Sequence, residues 1–257
     1  MLVVISPAKR LDPTPGTRPG ITLPVFQQDA VYLAGVAGAL THEQLSKLMG
    51  ISDKLARLNA ARFSDFAADP APEALTPAAL LFDGDTYAGL EAETLDEDAL
   101  RYAQDHLRIL SGLYGLLRPL DAIQPHRLEM GSKLATDRGK SLYDYWGDKI
   151  AHALNEAAGT AGTDVLVNCA SQEYFGAVAR ETLNLRVITP VFFEERPSGP
   201  KVVSFYAKKA RGAMARFIVE HRVTDPQALA EFDSGGYRYM PDASEPDRPV
   251  FLRGEAD

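Results

Sequence analysis

Residues 41–63, THEQLSKLMGISDKLARLNAARF, limit the possible folds of this chain more than any other stretch, because they require two helices joined by a turn of three residues, Gly50, Ile51 and Ser52. Thr41 with Gln44 three residues on forms a capping box, and Leu45, Leu48 and Met49 recur at helical spacing. Gly50 is placed to end the first helix and Ser52 to cap the second. The second helix is expected to turn Leu55, Leu58 and Phe63 inward and to leave Lys54, Arg57 and Arg62 in water. A helix that restarts so abruptly presents N–H groups with no intrahelical carbonyl to bond, and such groups suit phosphate oxygens. An αα-hairpin packed only for its core satisfies the same spacing.

The rest of the chain is an ordinary globular sequence, 46% hydrophobic over 257 residues, enough for one large core. No apolar run is long enough for a membrane span, and the start MLVVISPAKR does not read as a signal peptide, so a cytoplasmic location is expected, with no membrane partner. The single cysteine, Cys169, excludes an internal disulfide framework and a Cys-rich zinc site, and its setting in VLVNCA reads as core. None of the five histidines stands at metal-ligand spacing from another, so no metal and no cofactor are expected. The net charge of −8 excludes a protein that coats nucleic acid indiscriminately. That charge is segregated, with eleven acids against Arg101 alone in residues 64–105, and six cations against Glu220 in residues 201–222. One face can therefore be basic while the whole is acidic.

Residues 2–5 and 164–169 read as buried strands, and residues 186–193 and 202–206 as two more. The first strand ends at Lys9 and Arg10. The segment 202–206 is expected to deliver Lys208, Lys209 and Arg211 to the N-terminus of a helix, where cations oppose the dipole and so suggest use of the charge. Residues 12–24 read as a surface loop, 83–90 as a structural turn, 95–110 and 142–157 as helices, and 224–232 as a short capped helix. With no internal repeat and no linker, the whole chain, residues 1–257, is expected to be a single compact domain of mixed α/β (α+β) class, a central sheet surrounded by helices.

Leu48 to Ala56 resembles the helix-hairpin-helix of DNA repair proteins, with Gly50, Ile51, Ser52 and Lys54 at its signature positions and Ser52 in place of the second glycine. The blocks SPAKRLD, ISDKLARLNAARF, LSGLYGLLRPLD, QPHRLEMG, YDYWGD, NCASQEYF and SFYAKKARGAMARFI together resemble the YaaA family of bacterial peroxide-stress resistance proteins over nearly the whole chain. That resemblance implies a cytoplasmic protein that limits damage from free iron and binds duplex or branched DNA through the hairpin and a positively charged cleft. The cleft is assigned by inference to Lys9, Arg10, Lys208, Lys209 and Arg211.

Two functions of different class follow. The first is a DNA-binding protective protein that grips phosphates without reading bases. The second is an enzyme of unknown reaction in the same cleft, with Lys9, Asn168, Ser171, Glu173 and Lys208 polarising an anionic small molecule. No nucleophile–base pair is visible in the sequence, which favours binding over catalysis, and the sequence does not set the oligomeric state.

Overall fold

Four apolar residues, Leu2–Ile5 (β1), have nothing to place on a wet face, and all four are buried at the centre of the main sheet. The computed structural model describes residues 1–12, 14 and 20–254, so part of the loop expected over residues 12–24, residues 13 and 15–19, lies outside the described residues. The remaining main strands are β2 (Leu107–Ser111), β3 (Gly115–Leu117), β4 (Val165–Cys169), β5 (Arg186–Ile188), β6 (Val191–Glu194), β7 (Tyr237–Tyr239) and β8 (Val250–Arg253). The longer helices are α1 (Gln27–Gly38), α2 (His42–Met49), α3 (Asp53–Ser64), α4 (Asp85–Leu90), α5 (Glu97–His106), α6 (Lys149–Thr160) and α7 (Ser204–Glu220).

The five-stranded sheet runs β3-β2-β1-β4-β5, with β1 parallel to both β2 and β4, so that Val3 faces Leu107 on one side and Val167 on the other. From β1 the chain moves to β2 on one flank, and from β4 it moves to β5 on the opposite flank. The winding direction therefore reverses between β1 and β4, and crevices that bind ligands open at the carboxyl ends of such strand pairs. A second sheet, β6-β8-β7, carries an aromatic cluster of Phe192, Phe232, Tyr237 and Phe251, with Phe192 and Phe251 stacked 5.4 Å apart. The result is a mixed α/β domain with one continuous core.

Several boundaries depart from the expectation. The helix read over residues 95–110 ends at His106, and Leu107–Ser111 is a strand buried throughout. Arg108 breaks up its apolar run; the side chain is buried, its Nη1 donating to the carbonyls of Gln104 at 2.9 Å and Leu107 at 2.8 Å. The helix read over 142–157 divides at Gly147, and the turn read over 83–90 contains α4. The strand read over 186–193 is two strands in different sheets, parted at Pro190, which has no N–H for a ladder. There is no strand over 202–206: α7 already begins at Ser204. Residues 224–232 hold a 3₁₀ turn, Pro226–Glu231, capped by Asp225.

α3 is also rotated from its expected setting. Ala56, Asn59 and Phe63 face the core, while Leu55 and Leu58 are exposed. Where α4 crosses α7, the two backbones nearly touch. A Cβ on Gly212 would stand 1.8 Å from the Thr86 carbonyl oxygen, and one on Gly89 2.0 Å from that of Lys209. Only glycine permits this approach, and it fixes the face of α7 that follows against residues 83–86.

Candidate functional site

At the carboxyl end of β1, Ser6 leaves the sheet beside the end of β4, and its Oγ accepts from the Ser171 N–H at 2.9 Å. The buried Tyr87 hydroxyl donates to the Ser6 carbonyl at 3.2 Å, tying this loop to α4. Between these loops and α7 lies a cavity of about 440 Å³, placed where the winding reverses. Lys9, Arg10, Lys208 and Arg211 line it together with Asp83, Asp85 and Glu173.

These charges differ in how far they are already committed. Arg10 makes a two-pronged pair with Asp83, at 2.9 and 2.5 Å, supported by the backbone register Arg10↔Asp83. Lys9 lies 3.3 Å from Glu129, which also accepts from Arg127 at 2.9 and 3.1 Å. Lys208 and Arg211 make no ion pair among the described residues, and so hold the charge most available to an anion. They stand three apart on α7 and share a face, whereas Lys209 turns to a different cavity on the other side of the helix, beside Glu91, Arg216 and Glu220. The grouping of Lys208, Lys209 and Arg211 at a helix N-terminus is corrected accordingly: they lie within α7, and two of the three meet the loop of Lys9.

Of the residues considered for chemistry, Lys9, Ser171, Glu173 and Lys208 converge on this cleft. Asn168 does not. Its carboxamide accepts from the Ala170 N–H at 3.0 Å and lies on the wall of a neighbouring cavity. Glu173 Oε1 accepts from the Gly131 N–H at 3.0 Å, and no histidine lines the cleft. The arrangement can hold and polarise an anion, but among the described residues Ser6 and Ser171 have only each other and the backbone as partners, so neither is paired with a base there. Burial pushes the Cys169 thiol up to about 12, an effect that Arg211 partly offsets, so at neutral pH this sulfur is a thiol and a poor partner for peroxide. Asp83, Asp85, Thr86 and Tyr174 also line the cleft, and nothing in their spacing along the chain marks them for it. Among the described residues no group of three His, Cys, Asp or Glu side chains is placed to hold a metal.

The hairpin of α2 and α3 is separate from the cleft, and Gly50, Ile51, Ser52 and Lys54 do not line it. Thr41 and Gln44 form the reciprocal capping box, and the Gly50 N–H reaches the Ser46 carbonyl with Gly50 at φ 61°, in the left-handed region. Ser52 takes φ −63° and ψ 155° as N-cap, its Oγ accepting from the Leu55 N–H at 3.4 Å. Serine therefore serves where the resemblance has a second glycine, since no positive φ is needed there. Ile51 packs on the core, while Gly50, Ser52 and Lys54 are exposed.

A sequence-family model described as "Peroxide stress protein YaaA" matches residues 1–243. The chain belongs to the YaaA family. Among relatives of this family type, a UPF0246 protein of Roseobacter denitrificans is 64% identical over 98% of both chains. Others from Ruegeria pomeroyi and Jannaschia sp. are 65% and 59% identical, covering 98% and 100% of this chain and 98% of each relative. Three YaaA blocks far apart in sequence, SPAKRLD, NCASQEYF and SFYAKKARGAMARFI, supply Lys9, Glu173 and Arg211 to the one cleft, and QPHRLEMG places Arg127 and Glu129 behind it.

Proposed function

We propose that this YaaA protein acts in peroxide stress by holding duplex or branched DNA without reading its sequence, through the α2–α3 hairpin and the cations of the cleft, and so limits iron-dependent oxidative damage in the cytoplasm. The observation that carries this reading is the exposed turn. A Cβ on Gly50 would meet nothing within 4 Å, so the glycine serves the chain reversal and not a packing contact. Beyond it, the N–H groups of Asp53 and Lys54 come too early in α3 for an intrahelical carbonyl. Asp53 is engaged by Arg57 at 2.8 Å, and Lys54 makes no ion pair among the described residues. Open N–H groups, a favourable dipole and a free ammonium together suit a phosphate.

Lys54→Glu tests the hairpin, because its effects on binding and stability run in opposite directions. A carboxylate in the first turn of α3 suits the helix dipole, so the thermal melt is expected to hold or rise slightly. DNA affinity is expected to fall, and the slope of log K against log salt to flatten by about one unit for the lost phosphate contact. Unchanged affinity in the folded variant would return the hairpin to core packing alone. Gly50→Pro is unsuitable for this test, since φ 61° lies outside proline's reach.

One observation favours the second reading, an enzyme acting on an anionic small molecule. The cleft stands where the winding reverses and brings Lys9, Ser171, Glu173 and Lys208 together in about 440 Å³. The serines lack a base, so polarisation by the cations would have to carry such a reaction. DNA binding that does not weaken with added salt would favour this alternative.

A further inference from the structure

Across residues 168–173, alternate side chains line opposite cavities. Cys169, Ser171 and Glu173 face the cleft, whereas Asn168, Ala170 and Gln172 face a second cavity of about 540 Å³ between β4, β6 and α7. Arg211, half-buried on α7, lines both.

The second cavity has a composition that the acidic balance of the whole chain does not foreshadow. Among the described residues Arg180, Arg211 and Arg248 line it, no Asp or Glu does, and none of the three makes an ion pair. Its wall is apolar: Phe192 is buried, Phe175 is half-buried, and the Arg180 guanidinium stands over the Phe175 ring at 5.8 Å from the centroid. Gln172 and Thr189 add polar edges at the side. Its volume lies in the range of about 300–1,000 Å³ typical of small-molecule sites. An acyl chain would leave three guanidinium groups without a counter-charge, and a simple dicarboxylate would leave the aromatic wall bare. A flat ring carrying a phosphate satisfies both, stacking on the aromatic face while the arginines meet the phosphate.

We propose that this second cavity binds a nucleotide, its base stacking on Phe175 as the exposed Arg180 side chain swings outward to cover it, and its phosphate on Arg211 where the two cavities meet. The nucleotide is either free or an unpaired one from a DNA strand lying in the cleft; only this second source rests on the DNA reading. A base drawn from a strand into such a pocket is selected by being unpaired, not by its identity.

The test measures fluorescence anisotropy at fixed salt with three DNAs: a blunt duplex, the same duplex with one extrahelical nucleotide, and that duplex with the extrahelical base removed. Calorimetry compares dAMP with inorganic phosphate. Two variants are used: Val202→Trp, which fills the mouth from a position 51% exposed, and Arg180→Ala, from an exposed one. The extrahelical nucleotide is expected to raise affinity about tenfold over both other duplexes, the scale of one base stacked on an aromatic ring. Both variants should erase that gain and keep the blunt-duplex affinity. dAMP should bind more tightly than phosphate, and Val202→Trp should abolish the difference. Preference for dAMP with no DNA binding would reject the DNA reading and leave a free-nucleotide site. The proposal is overturned if wild-type protein distinguishes neither the base in DNA nor dAMP from phosphate, or if its preferences survive both variants.

Discussion

His126 is buried, packed edge-on against the rings of Tyr114 at 5.2 Å and Phe82 at 6.0 Å, with Nδ1 2.9 Å from the Gln124 carbonyl. That contact places the proton on Nδ1 of a neutral ring, and burial holds the pKa down to about 4. An unfolded chain titrates the same histidine near 6.5, so between those values the unfolded state binds more protons and stability falls as pH is lowered. For His126 alone the expected loss between pH 7 and pH 5 is about 2 kcal/mol. Burial also lowers His106, which adds in the same direction. Urea denaturation at the two pH values checks this: His126→Phe should show a clearly smaller pH dependence than wild type, whatever its stability at pH 7. An equal dependence would place the acid sensitivity elsewhere.

At the scale of elements, the crossing of α4 on α7 positions the cleft cations. Gly212→Ala has no room, since the new methyl would meet the Thr86 carbonyl at 1.8 Å, a backbone atom that cannot swing aside. The expected cost is about 3 kcal/mol, from forcing two packed backbones apart. Guanidinium denaturation should show a lower midpoint at an unchanged slope. The same contact explains which parts were legible in the sequence. α2 and α3 announce themselves through Thr41, Gln44, Gly50 and Ser52, and the structure bears out every one of those caps. α7 carries no such signal: its N-cap is Val203, without a side-chain bond to the first turn, and Val202, Phe205 and Tyr206 look like strand residues. Helix packing overrode local propensity there. Once the helix is known to start at Ser204, its period alone separates Lys208 and Arg211 from Lys209. Strand β2 was hidden for the opposite reason, a buried arginine whose Nη1 donates to two backbone carbonyls. Asp83, Asp85 and Tyr174 sit on short elements that reach the cleft only through tertiary packing, which spacing along the chain does not encode.

Over the whole molecule, charge that is segregated in sequence is recombined in space. The acidic stretch of residues 64–105 supplies Glu91 and Asp98 to Arg216 and Arg222, while Glu220 also takes Arg216. The second half of the basic stretch is thereby neutralised and the first half stays open, which leaves a protein of net charge −8 with local basic surface for anions. Strand β8 has a different consequence. The family match ends at residue 243, yet Val250–Arg253 lies between β6 and β7, paired parallel to one and antiparallel to the other, with Phe251 in the aromatic cluster and Arg253 held by Glu194 at 2.8 Å. A chain cut at residue 243 would leave two strands facing an empty lane and a bare apolar face, both invitations to pair with another molecule. Size-exclusion chromatography should find residues 1–243 in high-mass aggregates, and residues 1–254 eluting as the full chain does. The reach of the family model and the limit of what must be expressed for the protein to fold are therefore different places on this chain.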